Sequence, residues 1–368
     1  MRKMTKALLL IFVCSVVFSI FARPIHAAGD PLNNAYYLQE VGVFVDNKIV
    51  ISAQKTYFAE NDKIYVPIKT ISSLKGVTLE SGKNLKVKSS KGSFVIDKSN
   101  SIAYQNTTYV TLEKFTAVTG YSGRYEPQLS SVFLWKDYES YQNTIQKINS
   151  AKESYDQIRW YMGWKVYVYD KGQFGWVTGI SSLGGQVTEL DIQMVDGKTT
   201  TEIVYGLEPQ GFCLSIQYEA FKQSYKNANV WANKHVLPYS NPLYHIERIK
   251  ILKMDINKGD AVIQAKRASG SVISFKIPLK GYPGGVIMDH FYTTDPKQMY
   301  PSWKAKAWEL IAGQKIAKGM DKDMVRMAWG NPNDTSSYSG IYMRTDTWIY
   351  GDTYLNFTNG ILDSWMDF

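Results

Sequence analysis

Asn61-Asp-Lys-Ile-Tyr-Val-Pro-Ile68 and Gln105-Asn-Thr-Thr-Tyr-Val-Thr-Leu112 stand forty-four residues apart and carry one pattern twice. In each, a polar pair opens a short run in which a Tyr-Val step alternates with smaller residues, the period of a half-buried strand. Each run leads into a short helical stretch. Lys69 to Leu74 is closed by Gly76, and Glu113 to Val118 by Gly120. A glycine just past a helix relieves the left-handed backbone that ends it. Tyr65 matches Tyr109, Pro67 stands where Thr111 does, Ile68 matches Leu112, and Gly76 matches Gly120. The repeat predicts an α+β domain built from two strand–helix units.

The surroundings extend this reading. Val43-Phe-Val45 and Lys48-Ile-Val-Ile51 flank Asp46-Asn47, a turn pair. Both copies continue to an apolar strand, Leu85-Lys-Val-Lys88 and Ser131-Val-Phe-Leu-Trp135. With the Val43-x-Val-Asp-Asn-Lys48 and Ile64-Tyr-Val-Pro-Ile68 patterns, residues 39–136 resemble the copper amine oxidase-like N-terminal domain, common in exported proteins of Gram-positive bacteria. The resemblance implies a small α+β domain without a catalytic role. It implies neither copper nor oxidase activity, because copper ligands and a quinone-forming tyrosine belong to a large catalytic domain that this chain lacks.

Ahead of this domain lies an address. Arg2, Lys3 and Lys6 precede an apolar run from Ala7 to Phe21; Pro24 breaks it, and Ala27 and Ala28 are small. This is the layout of a secretory signal peptide over residues 1–28, cleaved at Ala27 or Ala28. At 1.5 Å per residue the run spans about 22 Å, short of a hydrocarbon core of about 30 Å. Cys14 lies inside the run after Val13, which does not fit a lipidation site. Cleavage lowers the net charge from +9 to +5 and leaves Cys213 as the only cysteine. No disulfide can then form within the chain, so stability rests on apolar cores. Cys213 sits in the alternating stretch Phe212 to Tyr218 and reads as a small buried hydrophobe.

From Asp137 the sequence turns helical. Tyr138, Tyr141, Ile145, Ile148, Tyr155 and Ile158 recur at helical spacing, which predicts a linker over 137–158 with Asp137 as its N-cap. Residues 160–292 read as a β-rich middle, a barrel or sandwich. Strands Trp164 to Tyr169 and Phe174 to Ile180 come first. Hairpins then follow at Asp196-Gly197 and Asn257-Lys-Gly259, with a further strand from Ser271 to Leu279. One helix is predicted over Ala220 to Trp231. The opening of this region is similar in shape and composition to the SH3-like barrels of bacterial wall proteins.

The last segment, 295–368, carries the sharpest pattern. A helix is predicted over Ser302 to Ile311. Asp321 N-caps a second, in which Met324, Val325 and Ala328 are spaced to bury, and which Gly330 and Pro332 stop. A polar loop precedes strands Asp346 to Tyr350, Thr353 to Phe357 and Ile361 to Trp365, the last two joined at Asn359-Gly360. Gly319-Met320, Val325, Trp329-Gly330-x-Pro332, Trp348-x-Tyr350 and Phe357-x-Asn359-Gly360 together resemble the SmpA/OmlA family, with its BamE-like fold. That resemblance implies two helices on a three-stranded antiparallel sheet, acting by protein–protein contact. The family's lipid-anchoring cysteine has no counterpart here.

The fold class expected is therefore a multidomain α+β chain. Its parts are a repeated strand–helix N-terminal domain, a β-rich middle, and a two-helix, three-stranded C-terminal domain. Function is less legible. His235, His245 and His290 follow no metal spacing, Asp289-His290 would point to opposite faces of a strand, and no nucleophile-elbow or phosphate-loop motif occurs. No catalytic, cofactor-binding or metal-ligating residue is assigned. No dense Lys/Arg stripe suggests nucleic acid. The reading is a secreted or wall-associated, non-enzymatic binding or scaffold protein without cofactor, whose partner is an envelope protein or an anionic wall polymer. The rivals are a wall hydrolase with a site in the middle region and an inhibitor of another exported protein.

Overall fold

The computed structural model describes residues 31–32, 38–82, 84–279, 281–340 and 343–368. Ala27 and Ala28 lie outside them. The chain divides into two compact units, residues 1–145 and 146–368. The middle and C-terminal regions read from the sequence thus fall within one unit. Strands dominate several sheets, with helices between them, so the chain is a mixed α/β structure.

In the first unit an eight-stranded sheet starts and ends the domain. Gln39–Val45 pairs in parallel with Ser131–Trp135, Val43 opposite Val132. The two repeated segments are neighbours. Ile64–Pro67 runs antiparallel to Thr107–Thr111, with Val66 opposite Val110, Tyr65 opposite Thr111 and Pro67 opposite Tyr109. The repeat therefore closes on itself about a local twofold through two fully buried valines. Tyr65 and Tyr109 share a small core with Leu32 and Ala59.

The helical stretches differ between the copies. Leu112–Thr119 is an α-helix, capped by the Thr111 hydroxyl at its start and by Gly120 at φ 74°. Ile68–Ser73 is a 3-10 helix that ends at Leu74, before Gly76 at φ 75°. Both pack over the main core of this unit, where Phe115 is fully buried. A three-stranded sheet, Thr78–Glu80, Leu85–Ser89 and Gly92–Ile96, stands beside them.

The linker is a helix over Tyr138–Lys152, followed by a short one over Asp156–Arg159. The Asp137 carboxylate accepts from the Ser140 N–H at 2.8 Å, the expected cap.

The β-rich middle consists of two open five-stranded sheets, which corrects the barrel alternative. One runs from Thr199–Tyr205 through Val187–Met194, Gln173–Gly184 and Lys165–Val168 to Phe212–Leu214. The other runs from Val272–Pro278 through Asp260–Arg267, Arg248–Asn257 and Asn229–Ala232 to Phe291–Tyr292. Tyr167 and Cys213 from the first share a core with Ile249, Ile263 and Phe275 from the second. The predicted helix over Ala220 to Trp231 is shifted. The helix is Ser215–Gln223, and Asn229–Ala232 is a strand. Ser224 leaves the helix in an extended conformation at φ −58° and ψ 146°, and Tyr225 and Asn227, at φ 54° and 66°, turn the chain into the strand.

The C-terminal segment has four strands rather than three. Asp334–Ser339 joins as an edge strand where a loop was expected, with every residue exposed. After a short helix, Pro296–Met299, its two longer helices are Ala305–Ala312 and Lys322–Trp329, packed on Trp348, Leu355 and Phe357. Phe115→Ala leaves a cavity in the first unit and is expected to lower its unfolding free energy by about 3–5 kcal/mol, read by urea unfolding.

Candidate functional site

The fifteen residues 233–247, between strands Asn229–Ala232 and Arg248–Asn257, fold into a loop whose parts alternate between anchor and display. Leu237, Leu243, Asn241 and His245 are buried. Tyr239 is 100% exposed and Tyr244 71% exposed, on either side of Pro242. Exposed rings between buried anchors make this a presenting surface rather than a slack connection.

Polar contacts brace it. Lys234 Nζ donates to the Asn241 carbonyl at 2.6 Å, and the Asn241 side-chain oxygen accepts from the Leu243 N–H at 3.0 Å. The Asn241 side-chain nitrogen is buried without a hydrogen-bond partner. A guanidinium nitrogen of Arg267 donates to the Pro242 carbonyl at 2.7 Å, and its Nε lies 3.2 Å from Glu247. The second Glu247 oxygen accepts from the Tyr244 N–H at 2.9 Å. The Arg267 guanidinium lies 5.7 Å from the Tyr244 ring centroid, within cation–π range. Ile246 closes the loop at φ 52°, a rare conformation for a β-branched residue that the surrounding contacts hold in place.

The deepest anchor is a pair of imidazoles. His235 Nε2 lies 3.2 Å and His245 Nε2 2.7 Å from one acceptor, the Met327 carbonyl in the last turn of helix Lys322–Trp329. Their ring centroids are 4.6 Å apart. The Lys234 N–H donates to His245 Nδ1 at 3.2 Å, so Nε2 carries the proton of His245 and donates it to Met327. Burial pushes the His245 pKa down to about 4, with the His235 ring adding to the effect. Behind them Gly330, at φ 84°, lies so close to His235 that a Cβ there would meet the ring at 3.2 Å. The two histidines that look unrelated in sequence are thus neighbours, joining the middle region to the C-terminal helix. His290 sits at the end of helix Val286–His290, not on a strand, and its Nδ1 bonds the Val286 carbonyl at 2.9 Å.

Among the described residues none of these imidazoles bonds a serine, a thiol or a carboxylate. Cys213 is 3% exposed, and burial pushes its thiol up to about 12, which keeps it protonated and unreactive. Among the described residues no three His, Cys, Asp or Glu side chains group around a metal position. No helix among them is long and apolar enough to cross a membrane.

The motif residues singled out in the sequence fill cores and turns, and of the C-terminal ones Gly330 lies directly against the loop's His235. Gly319, at φ 90°, donates its N–H to the Leu362 carbonyl at 2.9 Å, and Met320 and Val325 are buried. Trp329 Nε1 donates to Gln314 and the Tyr350 hydroxyl to Gly330, both at 2.9 Å; Pro332 follows in the turn. Trp348 and Phe357 pack in the core with their rings tilted at 54° and their centroids 4.8 Å apart. The Asn359 side chain accepts from the Arg344 N–H at 3.0 Å, and Asn359 and Gly360 take positive φ. Sequence reasoning passed over Tyr239, Asn241, Tyr244 and Arg267. The available signal was two tyrosines placed around a Pro238-x-x-x-Pro242 frame. No family model, curated protein or solved structure matches the chain.

The imidazole pair makes the joint pH-dependent. His245 titrates near 4 when folded and near 6.5 when unfolded. Its neutral form supplies stability that is complete above about pH 6.5 and is lost as pH falls toward 4, about 3 kcal/mol over that window. Thermal melts of the wild type are expected to drop between pH 7 and 5, and those of His245→Gln to start lower and drop less.

Proposed function

We propose that this chain is an exported, non-enzymatic binding or scaffold protein of the bacterial envelope, which recognises an envelope protein or wall polymer by surface contact. The observation that carries the reading is the braced loop 233–247, which holds Tyr239 and Tyr244 in solvent. Tyrosine gives a large contact area with few rotatable bonds, and pre-ordering removes much of the entropy cost of binding. Arg267, held by Glu247 and the Pro242 carbonyl, stiffens one ring. Arginine and tyrosine are also the residues that dominate binding hot spots. The leader-like residues 1–28 and the resemblances to two exported, non-catalytic domains support the envelope address. The chemistry of the loop favours grip over turnover, because its histidines are committed to holding a backbone carbonyl.

Co-sedimentation of the exported chain with purified cell-wall sacculi tests this. Binding is expected, and the Tyr239→Ala/Tyr244→Ala pair is expected to weaken it about thirtyfold. Both rings are exposed, so the far-ultraviolet circular dichroism and the melting temperature should stay as in the wild type. Equal binding by the double variant removes the loop from the reading. Release of soluble wall fragments by the wild type replaces it with the hydrolase.

A further inference from the structure

The second middle sheet has one face in the core and one outside. Ile249, Ile251, Met254, Ile263, Ala265 and Phe275 point inward. The outward residues of strand Arg248–Asn257 begin with Arg248 and Lys250, and those of Asp260–Arg267 end with Lys266; all three are exposed. Register places Lys250 directly opposite Lys266, with Val272 beyond Lys266 and Asn229 beyond Lys250. Arg248 lies one outward position away, opposite Trp231. Facing residues in a sheet bring their Cβ atoms to about 5 Å, and successive outward residues of a strand lie about 6.7 Å apart. Three cations therefore share one small patch.

Their neutralisation is uneven. Further along the same face Lys253 pairs with Asp255 at 3.5 Å and Lys276 with Asp260 at 3.3 Å. Among the described residues no acid forms an ion pair with Arg248, Lys250 or Lys266. Like charges directly opposite one another destabilise a sheet. A patch that balances its outer cations but leaves a facing lysine pair unbalanced is suited to an anion supplied from outside.

We propose that this face binds a linear phosphodiester polymer, with Arg248, Lys250 and Lys266 each meeting phosphate charge. This deepens the wall-contact reading above and rests on it. A chain with recurring negative charges matches cations spread along two strands better than a single small anion does. The neighbours favour a polymer over a bilayer: Asn229, Gln264 and Ser274 are polar, the exposed Val272 is short, and Trp231, opposite Arg248, is half-buried and not free to insert. A membrane-docking face would carry aromatic or long apolar groups to insert.

The test is titration of the exported chain with a fluorescent glycerol-phosphate oligomer at low and raised salt, followed by anisotropy. The wild type is expected to bind, with affinity falling as salt rises. Lys250→Gln/Lys266→Gln should weaken binding tenfold or more while its melting temperature stays level or rises, because a repulsive pair has been removed. Lys63→Gln/Lys69→Gln, which removes the same charge from exposed positions in the first unit, should bind as the wild type does. Equal loss in both double variants, or no binding by the wild type, overturns the proposal. So does equal affinity for polyglutamate, for a single-stranded oligonucleotide, or for phosphatidylglycerol vesicles, each of which would put bulk charge, nucleic acid or membrane in its place. Sacculi stripped of their phosphate polymers separate the two readings. Retained binding there, lost with the tyrosine variant, keeps the wall-contact function and discards this face.

Discussion

The Met327 carbonyl is the contact on which the display loop depends. A helix ends with carbonyls that lack partners inside the helix, and these must be satisfied elsewhere. Here two imidazoles reach the last turn of Lys322–Trp329 from a loop some eighty residues earlier. They satisfy the carbonyl, and the helix in turn fixes where the loop begins and ends. Leu237 and Leu243 then seat in the core, and the turn between them has little freedom left. Tyr239 is exposed because its neighbours on both sides are held.

The same contact explains the glycine at 330. The helix must stop there for Tyr350 to bond its carbonyl, and the His235 ring must lie against it. A side chain at that position would push on the ring and strain a backbone that glycine adopts freely. One residue thus ends the helix, admits the imidazole and begins the turn into the four-stranded sheet. In the sequence Trp329-Gly330-x-Pro332 looks like a property of the C-terminal segment alone. In the structure it is also the seat of the middle region.

Local signals in this chain are legible in its residue types, and contacts between distant segments are not. Asp46-Asn47 and Asn359-Gly360 are two-residue turns with both φ values positive, and their residue types announce that. Asp137 caps its helix, and Cys213 is buried as its surroundings suggest. Asp334–Ser339 was missed because its Ser- and Thr-rich sequence offers no apolar alternation; it is an edge strand held by the ladder to Arg344–Tyr350. The helix expected over Ala220 to Trp231 is Ser215–Gln223 because the chain leaves it at an extended Ser224, which carries no glycine or proline stop signal. His235 and His245 are joined only by loop closure, which no spacing rule encodes. Lys250 and Lys266 become a pair only once the register is known.

Two kinds of local cost now stand close together in the second middle sheet. Ile246 holds an unfavourable backbone angle, and four residues later Lys250 faces another lysine. Neither helps the fold, and both can persist only because the apolar core beneath them is complete: Ile249, Ile251, Ala261, Ile263, Ala265 and Ile277 are fully buried or nearly so. Stability supplied by that inward face is what lets the outward face and its loop carry strain and unbalanced charge. A sheet with a weaker core would need an acid opposite Lys250 and a glycine at 246. Keeping the isoleucine and the lysines gives the exterior a fixed shape and a fixed positive charge, which are the two properties a contact surface requires.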